Sequence, residues 1–357
     1  MPKPADLAPR LLRWFDGAKR DLPWRHTTDP YRVWVSEIML QQTQVTTVVP
    51  YYERFLAAFP DVQTLAQAPL DAVLTLWAGL GYYSRARHLH AAARLICERH
   101  GGVFPDDYPA ARALPGIGEY TAGAILSIAY GVRLPALDGN AFRVLVRVFG
   151  VCGDVSRGEA RRRLVTIGAA AVPDRRPGDY NQALMEQGSQ VCLPRQPRCG
   201  ECCLADICVA RARGLQEQIP QPRRIATREV TMAAALVVRR GKVLLAKRPA
   251  SGVWGGLWEL PNVEGGEAAL REMLYGTFGL SAGEAVQFAR LTHGIMDQRV
   301  TLTAYLLAGI TGRARAPGHE GLAWVEPAAA DGYAMPAPHR KLVRRLAAHP
   351  QAGRLAL

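Results

Sequence analysis

Five of the seven cysteines in this 357-residue chain lie between positions 192 and 208. Four of them, Cys192, Cys199, Cys202 and Cys208, are spaced C-x6-C-x2-C-x5-C, and Cys203 is outside this pattern. Crowded cysteines in a cytosolic chain indicate metal coordination rather than disulfide bonds. Thiolates bind either tetrahedral zinc or an iron–sulfur cluster. The spacing alone leaves both open, although zinc sites usually contain two close cysteine pairs and only one is present here.

Glu37 is the one ionisable residue in the stretch 34–43, which otherwise has the composition of an apolar helix. A carboxylic acid with apolar neighbours has a raised pKa and donates a proton near neutral pH. The stretch is therefore a candidate source of a general acid. The alternative is a surface glutamate or a helix salt bridge.

A glycine-containing turn occupies residues 114–122, with the sequence LPGIGEYTA. Gly116 and Gly118 permit a tight turn between two helices, and the second helix opens with free backbone N–H groups that can bind a phosphate. An ordinary helix–turn–helix connection would have the same pattern. About one helix later the sequence LDGN contains Asp138 and Asn140.

Lysine is absent between Arg20 and Gly241, so every fixed positive charge in this stretch is an arginine. An amine nucleophile is therefore not available near the turn or near Asp138.

The elements that must position these residues differ along the chain. Residues 1–213 predict a mostly helical domain, with an N-cap at Asp29 before Pro30 and helical stretches at 70–78, 84–100 and 121–130. Residues 214–228 are polar, basic and proline-containing and predict a linker. Residues 229–357 predict a small α+β domain, with strands at 232–238, 242–247 and 300–307 and a helix at 270–278.

The composition is that of a soluble, basic protein, with 49% hydrophobic residues and a formal charge of +13. Residues 1–228 hold 29 basic against 21 acidic residues, and residues 229–357 hold 15 against 10. Two basic halves are expected of a protein that binds a polyanion such as DNA. No apolar run is long enough for a bilayer and no secretory signal is visible, so we expect a cytoplasmic, nucleoid-associated monomer without a membrane partner.

The cysteine spacing, the glycine turn and the LDGN sequence together resemble the endonuclease III-type, helix-hairpin-helix glycosylase superfamily. Six stretches resemble the MutY-type adenine DNA glycosylases of that superfamily. They are LPWR (22–25), SEIMLQQTQV (36–45), LWAGLGYYSRARHL (76–89), LPGIGEYTAGAI (114–125), LDGN (137–140) and YNQALMEQGSQVC (180–192).

This resemblance implies an all-α helix-hairpin-helix glycosylase domain, with a 4Fe-4S cluster on Cys192, Cys199, Cys202 and Cys208, followed by a Nudix-like domain. It implies that double-stranded DNA with adenine opposite 8-oxoguanine, or more weakly guanine, is the substrate.

The resemblance also assigns catalytic roles. Glu37 would protonate the departing adenine and Asp138 would stabilise or trap the sugar cation, which is a division of labour between two carboxylates. Tyr120 and Asn140 would assist. Bifunctional members carry a lysine at the position of Tyr120, so the resemblance implies a monofunctional enzyme that leaves an abasic site.

The remaining DNA contacts follow from the same resemblance. Trp24, Arg25 and Gln182 would line the adenine pocket, and Tyr82 would wedge into the base stack where adenine is flipped out. Gln42, Thr43 and Leu80 would lie on the lesion side of the helix. Gly116 and Gly118 would form the phosphate-binding hairpin.

The sequence WGGLWELP at 254–261 resembles the start of the Nudix-like domain that reads 8-oxoguanine in this family. Leu274, Tyr275 and Gly276 stand where a Nudix hydrolase needs carboxylates for magnesium, so we expect recognition rather than pyrophosphatase chemistry. His293 is a candidate lesion contact. Met296 and Asp297 replace the Ser-His that family members often carry in the lesion-reading loop.

Two alternatives remain. One is an endonuclease III-like glycosylase and lyase for oxidised pyrimidines, against which Tyr120, Glu37 and the Nudix-like extension argue. The other is a non-catalytic sensor of DNA damage, which the intact pair Glu37 and Asp138 makes unnecessary.

Overall fold

The computed structural model describes residues 1–221 and 227–349. The chain divides into two compact units: Met1–Gln67 with His88–Arg223, and Ala68–Arg87 with Arg224–Leu357. We call the first the helical unit and the second the sheet unit. No helix among the described residues is long and apolar enough to cross a membrane.

Within residues 1–221 the chain forms twelve α-helices. They are α1 (Leu7–Ala18), α2 (Pro30–Leu40), α3 (Val45–Ala58), α4 (Val62–Gln67), α5 (Leu70–Trp77), α6 (Ser84–Arg99), α7 (Tyr108–Ala113), α8 (Glu119–Ala129), α9 (Gly139–Phe149), α10 (Gly158–Ala171), α11 (Pro177–Gln190) and α12 (Val209–Ala212). The helical character predicted for this part of the chain is confirmed.

Local sequence signals set the helix ends that matter for the site. Asp29 caps α2 by accepting a hydrogen bond from the Arg32 N–H, and Pro30 occupies the first helical position, as predicted. Asp138 caps α9 in the same way, and Gly150 ends that helix with a left-handed backbone at φ 62°. The carboxylate of Asp138 is therefore held at a helix N-terminus by its own backbone.

Two packing arrangements place the site in the helical unit. Apolar side chains of α1, α9 and α11, including Phe15, Leu145 and Leu184, form one core cluster. Helix α2 is buried from Tyr31 to Met39 apart from Arg32, so its single acid lies among apolar side chains. Burial of nearly the whole helix explains its largely apolar composition.

The sheet unit contains nine strands and two further helices among the described residues. The strands are β1 (Arg228–Arg239), β2 (Lys242–Lys247), β3 (Trp258–Glu259), β4 (Asn262–Glu264), β5 (Leu280–Ser281), β6 (Glu284–Ile295), β7 (Gln298–Ala308), β8 (Thr311–Gly312) and β9 (Gly321–Val325). The helices are α13 (Glu267–Met273) and α14 (Ala337–Ala347).

Seven of these strands form one mixed sheet, in which β3, β2, β1, β7 and β6 are neighbours in that order. Strand β4 also pairs with β1, β9 pairs with β2, and β1 runs parallel to β7. Side chains of β1 alternate between two core clusters: Leu236 faces α14, and Val237 faces α13. Both faces are covered, which explains the continuous apolar run in β1.

Two segments of the chain bear on the predicted domain boundaries, which stay a prediction. Residues 68–87 group with the sheet unit, where Tyr83 donates a hydrogen bond to the carbonyl of Met335 at 3.0 Å. Lys247 pairs with Asp71 at 2.9 Å in the same unit. Of the predicted linker 214–228, residues 222–226 lie outside the described residues, and Ile219 is buried in a core cluster of the helical unit.

Candidate active site

Glu37 lies on the buried helix α2 and is 5% exposed. The hydroxyl of Tyr120, on α8, donates a hydrogen bond to its Oε2 at 2.6 Å. Burial raises the pKa of Glu37 to about 7, although the Tyr120 hydrogen bond and the Arg25 charge act in the opposite direction. A carboxyl group with this pKa is about half protonated at neutral pH and can serve as a general acid.

Asp138 is held by two hydrogen bonds at the start of α9. Its Oδ1 accepts from the Ala141 N–H and its Oδ2 accepts from the Asn140 amide, each at 2.7 Å. Burial raises the pKa of Asp138, and these hydrogen bonds counteract the shift because they favour the ionised form. Its charge also raises the pKa of Glu37, so the two carboxyl groups disfavour simultaneous ionisation.

Both carboxyl groups line one pocket of about 760 Å³ in the helical unit. Apolar side chains and a few polar groups held by hydrogen bonds form its wall, as in small-molecule sites. The other predicted site residues on its wall are Trp24, Arg25, Thr43, Tyr120, Asn140 and Gln182. Their roles toward a substrate stay a prediction, but the tertiary structure does bring these distant positions together.

An ion-pair cluster on the same wall was not predicted from the sequence. Glu186 on α11 accepts from Arg20 at 2.6 Å and from Arg25 at 2.8 Å, and its side chain is 2% exposed. Burial would raise the pKa of Glu186, but the two guanidinium groups outweigh it and lower the pKa to about 2. The pair fixes Arg25 at the pocket. The sequence signal was weak, because 161 residues separate Arg25 from Glu186.

Four cysteines of the predicted spacing, Cys192, Cys199, Cys202 and Cys208, line a single cavity. Cys203 is not part of that lining, and its Sγ lies 3.7 Å from Oε1 of Gln187. Within residues 1–221 and 227–349, no three His, Cys, Asp or Glu side chains converge on a point that would hold one metal ion. Four thiol groups around one cavity offer sulfur ligands for a metal centre.

Helix α9 connects the pocket and the cysteine loop. Arg143 donates to Oδ1 of Asn140 and to the carbonyl of Cys192, both at 2.8 Å. One turn later, Arg147 donates to the Leu193 carbonyl at 2.6 Å and lies 3.3 Å from the Cys192 sulfur. The helix that begins at Asp138 thus also positions the loop that carries the cysteines.

Gly116, Gly118 and Gln42 are not part of this pocket lining. Gly116 has φ 78°, and a Cβ there would lie 2.8 Å from Cβ of His88, so the turn requires glycine. Gly118 is the N-cap of α8, and the first backbone N–H groups of that helix have no intrahelical acceptor. Gln42, directly after α2, has φ 56°, a left-handed backbone that is uncommon for this residue type.

Leu80 and Tyr82 belong to the sheet unit, in the segment between α5 and α6. Leu80 is 5% exposed, whereas Tyr82 is 51% exposed with a left-handed backbone at φ 48°. Arg85 holds this segment: its guanidinium donates to the Leu80 and Gly81 carbonyls at 3.3 and 3.1 Å and lies 5.3 Å from the Tyr82 ring. An exposed aromatic ring on a firmly held turn is the geometry that a wedge residue needs.

His293 lies on β6 and lines a second pocket of about 700 Å³ within the sheet unit. Its ring stacks on Trp254 with centroids 6.0 Å apart, and burial lowers its pKa. Both ring nitrogens are buried without a hydrogen-bond partner among the described residues. Met296 and Asp297 form the tight turn between β6 and β7, and Met296 is 84% exposed.

The segment that replaces the Nudix carboxylates has its own structure. Residues Leu274–Phe278 form one turn of π-helix directly after α13. Leu274 and Phe278 are buried, and Tyr275 is 72% exposed. Glu267 on α13 pairs with Arg271 at 2.9 Å. Apolar and paired side chains in this position do not offer the free oxygen ligands that magnesium prefers.

Two family profiles match the chain. The HhH-GPD superfamily base excision DNA repair protein profile matches residues 35–169, and the NUDIX domain profile matches residues 233–345. The adenine DNA glycosylase of Homo sapiens is 37% identical, with 84% of this chain and 66% of the relative covered. That of Rattus norvegicus is 35% identical over 88% of this chain and 73% of the relative. The adenine DNA glycosylase of Buchnera aphidicola from Acyrthosiphon pisum is 35% identical over 73% and 75%.

Solved structures resemble the helical part of the chain. A thermostable thymine-DNA glycosylase is 28% identical with a TM-score of 0.54, covering 59% of this chain and 97% of that one. An endonuclease III trapped as a covalent intermediate with DNA has a TM-score of 0.51 at 19% identity, covering 60% and 100%. The second likeness shows the fold alone. The chain spans between about two thirds and three quarters of the length of the three curated relatives described above.

Proposed function

Because the chain belongs to the adenine DNA glycosylase family, we propose that it excises adenine mispaired with 8-oxoguanine, and more weakly with guanine, from double-stranded DNA. The reaction is the first step of base excision repair and leaves an abasic site. The observation that carries the proposal is the pair Glu37 and Asp138, which line one pocket in different environments.

Glu37 acts as the general acid. Adenine is a poor leaving anion, so a ring nitrogen must gain a proton as the glycosidic bond breaks. The buried carboxyl of Glu37, with a pKa of about 7, still carries that proton at neutral pH. Tyr120 then donates to Oε2 and stabilises the carboxylate that the transfer leaves behind.

Asp138 acts in its ionised form. The sugar acquires oxocarbenium character as adenine departs, and a fixed carboxylate stabilises that positive charge without reorganising. The Ala141 N–H and the Asn140 amide hold the carboxylate in place and favour its charged form. Without a lysine between Arg20 and Gly241, the abasic product is not carried on to strand cleavage through an amine.

The four cysteines of the cavity are proposed to hold a 4Fe-4S cluster. Four sulfurs in the spacing C-x6-C-x2-C-x5-C around one cavity support this proposal. When bound, the cluster would be ligated by the four cysteine thiolates and would cross-link the loop 192–208. Arg195 and Arg198 lie within this loop and Arg211 and Arg213 follow it, and these four exposed arginines would contact DNA phosphates.

Recognition of 8-oxoguanine is assigned to the sheet unit, which matches the NUDIX domain profile without offering magnesium ligands in the segment 274–278. The exposed turn at Met296 and the unpartnered ring nitrogens of His293 are the groups available for it. Backbone contacts of the turn would replace the serine and histidine side chains that this sequence lacks.

A single-turnover assay on end-labelled duplexes tests the proposal. The substrates hold A:8-oxoguanine, A:G, A:T or thymine glycol:A, each with and without hot alkali. We expect breaks only after alkali, and only at adenine opposite 8-oxoguanine or guanine. Breaks without alkali, or at thymine glycol, would replace the proposal with an endonuclease III-like lyase. Binding without any cleavage would indicate a damage sensor.

A further inference from the structure

Tyr120 has two hydrogen-bond acceptors and one proton to donate. Its hydroxyl lies 2.6 Å from Oε2 of Glu37 and 3.3 Å from Sδ of Met185 on α11. Burial and the neighbouring acids hold the pKa of Tyr120 well above its usual value, so the hydroxyl keeps its proton at every pH at which the protein works. The thioether is a weak acceptor and cannot donate. The two contacts therefore compete for one proton.

The protonation state of Glu37 decides this competition. When Glu37 is ionised, Tyr120 donates to Oε2 and stabilises the carboxylate. When Glu37 is protonated, its own O–H can donate to the Tyr120 oxygen, and the Tyr120 proton then needs another acceptor. Met185 Sδ is the acceptor that the structure provides for the second state. A buried hydroxyl without an acceptor would be unfavourable.

We infer that Met185 is a positioning residue whose sulfur accepts the Tyr120 proton while Glu37 is protonated and so favours the acid form of Glu37. This inference rests on the proposed function, in which Glu37 is the proton donor. As Glu37 gives its proton to the base, the Tyr120 O–H rotates from Sδ to Oε2. One hydroxyl thereby serves both the acid before the transfer and the carboxylate after it.

Other charged groups face Glu37 from the elements packed against it. They are Asp138 at the start of α9 and Arg25 in the short 3₁₀ turn Pro23–Arg25, where Arg25 is itself paired with Glu186 of α11. None of them contacts the Met185 sulfur through a described hydrogen bond. Replacing Met185 by leucine therefore removes the acceptor and leaves these charges in place.

The test compares Met185→Leu with the native protein in single-turnover excision of adenine from an A:8-oxoguanine duplex between pH 5.5 and 9. Without the sulfur, Tyr120 donates to Glu37 alone, the ionised form gains stability, and the descending limb of the pH–rate profile moves to lower pH. We expect a shift of about 0.5 pH units, which is a roughly threefold loss of rate above the pKa. The plateau rate at low pH should change less than this.

Two further variants separate hydrogen bonding from packing. Met185→Gln restores an oxygen acceptor on a side chain of similar length and should return the limb to its native position. Met273→Leu, at a half-buried methionine of α13 in the sheet unit, is the control for loss of a methionine and should leave the profile unchanged. A uniform loss of rate at all pH values in Met185→Leu, with the limb in place, would show a packing role and overturn the inference.

A readout without catalysis keeps this inference distinct from the proposed function. The carboxyl infrared band of Glu37, identified by subtraction of the Glu37→Gln spectrum, reports its protonation in the DNA-free protein. A lower midpoint for the titration of the Glu37 band in Met185→Leu than in the native protein supports the inference. This holds even if the native protein excises no adenine and the proposed function fails. Equal midpoints in the two proteins overturn it, even where adenine excision is confirmed.

Discussion

The pocket around Glu37 in the helical unit and the pocket around His293 in the sheet unit have similar volumes, about 760 and 700 Å³. They differ in how their polar groups are held. In the first pocket, Glu37, Asp138 and Glu186 all accept hydrogen bonds from identified donors. In the second, both ring nitrogens of His293 are buried without partners among the described residues. Each pocket also contains one buried arginine Nε without a partner there, that of Arg25 in the first and that of Arg248 in the second.

The first pocket is thus arranged to stabilise a charge, whereas the second offers polar atoms that a ligand can contact. Hydrogen bonds that are already in place stabilise a developing charge without rearrangement, which is the largest effect available to an enzyme. Polar atoms that lack partners are completed only when a ligand or water supplies them. We therefore expect substitutions in the first pocket to change rates by orders of magnitude, and those at the turn of the second unit to have small effects.

The largest effect is expected for Glu37→Gln. The amide keeps the shape of the side chain and a partner for Tyr120, but it has no acidic proton to give to adenine. Single-turnover excision from an A:8-oxoguanine duplex should fall about 1,000-fold. Affinity for the same duplex, measured by gel shift, should stay within about twofold. A variant that keeps more than about a tenth of the native rate removes Glu37 from the mechanism.

The next largest effect is expected for Asp138→Asn, in which the rate of adenine excision should fall about 100-fold. The asparagine still caps α9, because asparagine and aspartate are equally good at this position, so only the charge is removed. Asp138→Ala is the matched comparison: it loses the cap as well and should unfold with about 1 kcal/mol less free energy. A native rate in Asp138→Asn would show that Asp138 holds the helix and takes no part in catalysis.

The next effect concerns pH. Because Glu37 must be protonated, excision should fall about tenfold per pH unit above about 7. The folded pKa of Glu37 exceeds its ordinary value of 4.5, so its contribution to stability is present below that value and is lost as the pH rises through about 7.

Glu37→Gln removes this loss of stability. Its free energy of unfolding, relative to the native protein, should increase between pH 5 and 8.5 by up to about 3 kcal/mol. Denaturant unfolding at the two pH values measures the difference. A constant difference across this range would mean that Glu37 titrates near its ordinary pKa and that the first pocket is less buried than described.

The smallest effect is expected at the turn of the sheet unit. Met296 has φ 54°, in the left-handed region that favours glycine. Met296→Gly should raise the free energy of unfolding by up to about 1 kcal/mol and leave excision from A:G duplexes unchanged within about threefold. Asp297→Gly, at a neighbour without positive φ, is the control and should not stabilise. If Met296→Gly abolishes excision, the two pockets are less different than we describe.

Much of the candidate site could be predicted because its signals are local. Asp138 caps the helix that follows it, Gly116 adopts the backbone that only glycine accepts easily, and the spacing of four cysteines is a short linear pattern. Glu37 is the only acid of the largely apolar helix α2, and this pattern likewise indicates burial. Each of these features depends on residues within a few positions, so a sequence pattern can specify it.

Other features depend on which distant side chains meet. Glu186 pairs with Arg20 and Arg25 only because α11 packs beside the 3₁₀ turn, and no local pattern marks that contact. Cys203 follows the lining residue Cys202 but is not part of the cavity lining, because its own side chain lies beside Gln187. The grouping of residues 68–87 with the sheet unit has no counterpart in the polarity pattern from which the linker was predicted.

The sequence by itself thus determined the two kinds of domain, the two carboxylates and the four cysteines, since helix periodicity, capping and motif spacing are written into neighbouring residues. The tertiary structure decided how those groups behave. Burial among the helices raises the pKa of Glu37, and the meeting of α8 with α11 places the Met185 sulfur beside Tyr120. Desolvation and long-range contacts depend on the packing of the whole unit, which local sequence patterns do not specify.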